Sequence, residues 1–311
     1  MASGAPLRGF LWQNGAYIFL GTLGGAESTA SDINNSGQII GSSDNAMGHM
    51  NAFIWQHGVM TDLGVLPGDD DSYATAINSS GAVVGFSTLD GNNPHAFLWQ
   101  DGVMTDLGQG AAEDINDSNQ IVGYGAGVVG FLLQDGVETP LSFSPIAINN
   151  AGVVIGGSVV GGVGNIALVW KDGEIITNIA PVPGTMQDTA EAINDAGEIV
   201  GEAYTPTSYL GFLWQNGVTT ALTDGHSDIY GQIHDINLSG QVVGLSSPGG
   251  RAFVWQNGQF ETLDFSPLST ANGINDLGQI VGAAPAPEPS AWLLLISGIG
   301  MYFMRRVRSR S

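Results

Sequence analysis

Cysteine is absent from all 311 residues, which removes disulfides, thiolate nucleophiles and thiolate metal ligands from consideration. Basic side chains are almost as scarce: 7 Lys and Arg stand against 29 Asp and Glu. Four of those seven, Arg305, Arg306, Arg308 and Arg310, lie at the C-terminal end. Residues 1–284 therefore hold 28 acidic groups and three basic ones (Arg8, Lys171, Arg251), a net of −25. Phosphate backbones repel such a body, so nucleic-acid binding is excluded. Catalytic signatures are missing too: no Gly-x-Ser-x-Gly, no His-Glu-x-x-His, no phosphate-cradling glycine loop and no EF-hand pattern occurs.

What the chain has instead is repetition. One phrase is an apolar triplet followed by a Gly-tipped turn, as in Phe10-Leu11-Trp12-Gln13-Asn14-Gly15, Phe53-Ile54-Trp55-Gln56-His57-Gly58 and Phe97-Leu98-Trp99-Gln100-Asp101-Gly102. Further copies centre on Leu133, Trp170, Trp214 and Trp255. The second phrase is Ile-Asn, a turn, and a short Val/Ile run ending in Gly. Its Ile-Asn pairs begin at Ile33, Ile77, Ile115, Ile148, Ile193, Ile236 and Ile274, with gaps of 44, 38, 33, 45, 43 and 38 residues. A period near forty with two hairpins per period is the signature of a propeller or related array.

Each unit reads as four short strands, here a to d in chain order. The Asn-Gly, His-Gly and Asp-Gly pairs supply the positive φ that a tight c–d hairpin needs. Strands b and c are apolar without clean alternation, so both faces of each small sheet should be covered. The Gly that ends strand b (Gly41, Gly85, Gly123, Gly156, Gly201, Gly244, Gly282) marks a bulge or a close approach between blades. The first unit opens on strand c near Gly9, and the last stops after strand b at Gly282. Joined as a ring, the two ends complete one blade and leave no unpaired partial sheet. The expected fold is all-β, a seven-bladed β-propeller with 2+2 strand closure, over residues 9–282. Turns a–b and c–d barely vary in length, whereas the b–c and d–a connections vary widely. Both variable sets emerge at one end of the ring, where binding is expected.

Residues 283–311 leave the repeat. A Pro-rich linker (283–290) carries Pro287-Glu288-Pro289, an apolar run follows (291–304), and a basic tail ends the chain (305–311). Fourteen apolar residues make a helix of about 21 Å, short of the roughly 30 Å hydrocarbon core of a bilayer. The Arg cluster would hold its end on the cytoplasmic side and the repeats on the other. This order of motif, helix and Arg305-Arg306 resembles the PEP-CTERM sorting signal of Gram-negative bacteria. The resemblance implies recognition by an exosortase-type membrane peptidase, cleavage near Pro287–Pro289, and passage from the inner membrane to the cell envelope or exopolysaccharide. Residues 9–282 resemble the bacterial extracellular HAF repeats, with His95-Ala96-Phe97 matching the name-giving triplet and Asn51-Ala52-Phe53 and Arg251-Ala252-Phe253 as variants. The His is replaced in the other copies, so it is no repeated metal ligand. Residues 1–8 form a lead without the basic start and apolar stretch of an export signal, and such a signal is expected upstream of Met1.

Candidate chemistry is sparse. The five histidines (49, 57, 95, 226, 234) occupy unrelated positions of the unit and read as surface or loop residues. Tryptophans 12, 55, 99, 170, 214 and 255 recur at one strand position and read as core packing, not as a sugar-stacking platform. Asp69-Asp70-Asp71, in the d–a loop leading into the second unit near Tyr73 and Asp90, is an oxygen-rich loop of the kind that suits Ca²⁺; a solvated acidic loop is the alternative. No other cofactor is expected. The functional expectation is a non-enzymatic envelope or exopolysaccharide-associated propeller that binds through its variable rim, with extracellular polysaccharide among its possible partners. A secreted polysaccharide hydrolase or lyase stays open, using rim carboxylates about 5–9 Å apart.

Overall fold

The computed structural model describes residues 5–286 except 126, 160–164, 186–187, 205, 207–208, 224–230, 248 and 264–267, and every regular element among them is a strand. β1 (Leu7–Gln13) and β2 (Ala16–Phe19) open the chain. A four-stranded meander follows: β3 (Gly24–Ile33), β4 (Ile39–Asn45), β5 (Met50–Gln56) and β6 (Val59–Gly64). Next come β7 (Asp71–Ile77), β8 (Val83–Leu89), β9 (Asn92–Gln100), β10 (Val103–Ile115), β11 (Ile121–Gly125), β12 (Val128–Gln134) and β13 (Val137–Leu141). Three more meanders are β14 (Ser144–Ile148) to β17 (Glu174–Asn178), β18 (Asp188–Ile193) to β21 (Val218–Ala221), and β22 (Gly231–Ile236) to β25 (Gln259–Thr262). β26 (Thr270–Ile274) and β27 (Ile280–Pro285) end the described chain.

The last sheet has the order β2-β1-β27-β26, with Phe10 opposite Gly282 and Trp12 opposite Ile280. The N-terminal hairpin therefore completes the sheet begun by the C-terminal one, as the partial first and last repeats predict. One expectation needs correcting. The d–a connection between the second and third units is no loop: β10 pairs with β9 along its first half and with β11 along its second. Gly108 and Gly110 have φ of 104° and 136°, values that let the backbone swing from one meander to the next without leaving the strand. The two meanders fuse into one seven-stranded sheet.

A bulge recurs in every a–b pair. Residues 30 and 32 straddle an unpaired Ser31, and the same shift leaves out Thr75, Glu113, Ile146, Glu191, His234 and Asn272. The Gly ending strand b lies opposite this bulge, and a Cβ on Gly41 or Gly85 would run into the carbonyl of Thr29 or Tyr73. The close approach is thus within one sheet, between strands a and b, and not between blades. Bulging also turns the extra side chain toward the neighbouring unit.

Hydrophobic clusters fill the spaces between successive sheets. Ile40, Ala52 and Leu63 of the first unit pack against Ala74, Ile77, Val83 and Phe97 of the second. Leu11 and Leu20 of the closing sheet pack against Ile39 and Phe53 of the first unit. Phe10, Phe53, Phe97, Phe212 and Phe253 share one repeat position and are fully buried, each contributing about 1.5–3 kcal/mol of apolar transfer.

The Asn of each Ile-Asn pair ties these sheets into a closed circuit. Asn34 Nδ2 donates to the carbonyl of Asn78, and the chain runs on through Asn116, Asn149, Asn194, Asn237 and Asn275 back to the carbonyl of Asn34, at 3.0–3.2 Å throughout. All seven asparagines are buried. Asn34 Oδ1 also accepts from the amides of Ser36 and Gln38, so one side chain closes its own a–b turn and links to the next unit. A buried network with every group partnered rigidifies and specifies the fold.

Among the described residues no helix is long and apolar enough to cross a membrane. The predicted helix 291–304, Pro287-Glu288-Pro289 and the arginines 305, 306, 308 and 310 lie outside the described residues.

Candidate functional site

Strand order places the a–b and c–d turns on one face of the ring and the b–c and d–a connections on the other. On this loop face the β6–β7 connection brings Asp70 and Asp71 to the b–c loop of the first unit. His49 Nδ1 lies 3.9 Å from Asp70 Oδ2 and 3.8 Å from Asp71 Oδ1. Backbone amides hold both carboxylates in place: Asp90 donates to Asp70, and Met50 donates to Asp71. Burial first, and the charges of Asp71, Asp44 and Asp70 second, push the Tyr73 pKa up. Tyr73 stacks on Phe86 at 5.0 Å.

Of the predicted trio, then, Asp70 and Asp71 converge and Asp69 does not; the Asp69 amide closes a turn onto the Leu66 carbonyl. His49 joins them instead. No spacing rule could have paired it with residues 21 positions later; only the strand register does. An imidazole nitrogen and two carboxylates form a three-ligand set able to hold a divalent cation. If it does, millimolar Ca²⁺ will raise the melting temperature beyond a NaCl control of equal ionic strength, and His49→Ala will cancel the difference. Equal effects of the two salts would leave screening alone. Elsewhere on the loop face, a cavity of about 420 Å³ spans the third to fifth units, lined by Val129, Ser142, Ser144, Ile146, Ser158 and Thr189. Tyr204 and Tyr209 stand exposed on either side of the fifth unit's b–c connection, their hydroxyls 2.5 Å apart.

The turn face opens on the ring axis through a cavity of about 240 Å³ bounded by the asparagine circuit and by Asp32, Asp114 and Asp235. None of these three belongs to a recognised motif. Their signal is an Asp directly before Ile-Asn, where the other units have Ala or Gly. Each carboxylate accepts two backbone amides from two units. Asp32 takes Ile33 and Ile77, Asp114 takes Ile115 and Ile148, and Asp235 takes Ile236 and Ile274. They clip the inner edges that strands a would otherwise leave open.

Burial pushes these carboxyls up against the pull of their amide donors. Asp114 reaches about 7, helped by the charges of Asp32 and Glu113, and Asp235 reaches about 7, helped by Asp32 and Asp114. Asp32 is raised as well. The bulge residues form a second tier. Ser31, Thr75, His234 and Asn272 each contact the carbonyl of the following unit, Ala74, Ala112, Ala271 and Ala30 respectively. At the same position Glu113 and Glu191 are raised by burial. Glu202, which accepts the Ile233 amide, is pushed up to about 7 by burial and by Glu191. Burial lowers His234. The three aspartates have both oxygens committed to backbone, an arrangement suited to holding strands and unsuited to proton transfer.

No family model matches the chain, and no curated protein matches it. Solved structures do. The β-propeller domain of the Trilobed protease from Pyrococcus furiosus superposes with a TM-score of 0.53 at 11% identity, covering 76% of this chain and 82% of that one. TolB from Acinetobacter baumannii gives a TM-score of 0.48 at 9% identity over 68% of this chain, and the match spans 61% of TolB's length. A lectin of Aleuria aurantia gives 0.37 at 8% identity over 80% of this chain and 98% of that one. The first of these establishes a propeller fold for the described chain.

Proposed function

We propose that the chain is a seven-bladed propeller acting as a non-enzymatic binding module of the cell envelope or exopolysaccharide, with its loop face as the recognition surface. The observation that carries this reading is the division of labour between the two faces. The turn face is knit by one repeated asparagine circuit, while the irregular features (the His49–Asp70–Asp71 cluster, the Tyr204–Tyr209 pair and the Ser-lined cavity) belong to the loop face. In this reading Pro287-Glu288-Pro289 is the mark read by an exosortase-type peptidase, 291–304 is a transient membrane hold, and the arginines 305, 306, 308 and 310 orient it.

A hydrolase or lyase is the second reading, and Glu191 with Glu202 is what favours it: two raised carboxyls coupled by charge. The decisive experiment is mass spectrometry of both termini of the native protein, with fractionation of the cells that make it. The expected result is a chain ending near position 289 and recovered with extracellular polysaccharide. An intact Arg-tailed chain held in the inner membrane would overturn the sorting reading. Polysaccharide cleavage lost in Glu202→Gln would replace display with catalysis.

A further inference from the structure

Two grooves on the turn face repeat one set of side chains. Between the first and second units a groove of about 420 Å³ is walled by Gln38, Gln56 and Thr61 on one side and by Gly81, Trp99 and Asp101 on the other. Between the third and fourth units a groove of about 490 Å³ has Gln120, Gln134 and Thr139 facing Gly152, Trp170 and Asp172. These are the same six repeat positions with the same six residue types.

Core packing does not demand this identity, because Thr61, Asp101, Thr139 and Asp172 are exposed. Nor does every junction keep the set. The second-to-third junction has Ala82 and Leu133 in place of a Gln and the Trp, and the fourth-to-fifth has Val153 and Lys171 in place of both glutamines. At the fifth-to-sixth, Glu198 replaces a Gln and takes the Gln215 amide for itself. The last two junctions have Glu261 or Ile18 for the Thr and Asn14 or His57 for the Asp.

The grooves are also pre-organised. Asn34 Nδ2 fixes Gln38 Oε1 at 2.8 Å, and Asn116 Nδ2 fixes Gln120 Oε1 at 2.7 Å. The Gln38 and Gln120 oxygens are thereby committed. In the second groove Gln120 Nε2 also donates to Gln134 Oε1 at 3.0 Å, which ties the two glutamines together, and in the first Gln56 Nε2 reaches the Ser36 carbonyl at 3.4 Å; each amide nitrogen carries a second N–H for a ligand. Gly81 keeps the junction narrow, since a Cβ there would come within 3.0 Å of Gln38 Oε1. Trp99 is half-buried and Trp170 is 8% exposed: each packs against the core, as its recurrence implies, and forms part of its groove's wall, Trp170 with the smaller exposed area.

We infer that these two grooves are binding sites for a neutral oligosaccharide, independent of the loop face. An indole beside planar amides, a hydroxyl and one carboxylate matches a pyranose: its C–H face packs on the aromatic ring, and its hydroxyls pair with the polar groups. No basic side chain lines either groove, and the acidic body repels uronates. Two sites on one rigid ring give avidity for a repeating polymer.

The test is isothermal titration of the full chain with neutral gluco-, manno-, galacto- and xylo-oligosaccharides, with an oligogalacturonate as the charged control. One neutral series should bind at two sites per chain, and the uronate at none. Gln56→Ala with Asp101→Asn should weaken the first site at least about tenfold, the loss expected for hydrogen bonds to a charged group. Adding Gln134→Ala with Asp172→Asn should abolish binding. The two Asp positions have φ of 52° and 50°, which Asn tolerates as well as Asp does, and unchanged melting curves will show that the variants fold. His49→Ala with Asp70→Asn should leave binding intact. Absence of neutral-sugar binding at millimolar concentration, or binding that survives the fourfold groove variant, overturns the inference. Loss of binding in the His49/Asp70 variant would move the sugar to the loop face, removing this inference while leaving the loop-face reading standing.

Discussion

Acidification from about pH 8 to about pH 5 is expected to stabilise this protein. The cause is the set of carboxyls around the axis. Asp114, Asp235 and Glu202 titrate at about 7, and Asp32, Glu113 and Glu191 are also raised. In the unfolded chain such groups titrate near 4. A carboxyl whose folded pKa is raised binds its proton more tightly when folded. Its stabilisation is complete below about pH 4 and is lost as pH rises through about 7.

A shift from 3.8 to about 7 corresponds to something on the order of 4 kcal/mol for one isolated group. Asp32, Asp114 and Asp235 repel one another across the axis, so their contributions do not simply add. Thermal melts at constant ionic strength will show the slope. Asp114→Asn, which keeps one acceptor for the amides of Ile115 and Ile148 but cannot ionise, will flatten it and lower its maximum. A melting temperature that climbs toward pH 8 would refute the assignment.

Removing residues 1–21 will unfold the ring as a whole instead of fraying one end. β1 supplies the neighbour of β27 along six residue pairs, from Leu7–Pro285 to Trp12–Ile280. Phe10, Leu11 and Leu20 are buried, together worth about 5–9 kcal/mol at 1.5–3 kcal/mol per side chain. The Tyr17 hydroxyl donates to the Leu263 carbonyl, and the Gly9 amide donates to Ser28. That loss is comparable to the 5–15 kcal/mol total stability of an ordinary domain. The deletion variant should show no cooperative melt by circular dichroism and should be digested throughout by low protease. A truncated chain melting at the parent temperature would mean that the closing sheet is dispensable.

The features readable in advance were those that repeat along the chain. Asn14, His57 and Asp101 do take positive φ (53°, 52° and 52°) at the hairpin tips, because tight turns need local residue types. The partial end repeats announced the pairing of β1 with β27 by arithmetic alone. Features that depend on neighbouring units stayed hidden. Ile-Asn was visible as a motif, yet nothing in one copy says that Asn34 bonds the carbonyl of Asn78. The Asp32, Asp114 and Asp235 clips carry no sequence signal as a set, since Ala and Gly occupy the same position in the other units. His49 read as a lone loop residue because its partners come from a different connection. The fused β10 is hidden in the sequence because Leu107-Gly108-Gln109-Gly110 carries ordinary loop signals, which here serve a bend inside a strand.

The clips divide the ring unevenly. Three aspartates each span two neighbouring Ile-Asn turns, and three pairs cannot tile a circuit of seven asparagines. One member is left without a partner: the fifth unit, where Ala192 stands at the Asp position and no carboxylate reaches the Ile193 amide among the described residues. An assembly that looks rotationally uniform in its asparagines thus has a unique meridian in its aspartates. Parity, more than any local weakness, gives the circle a seam, and any change in the number of repeats would move the seam or erase it.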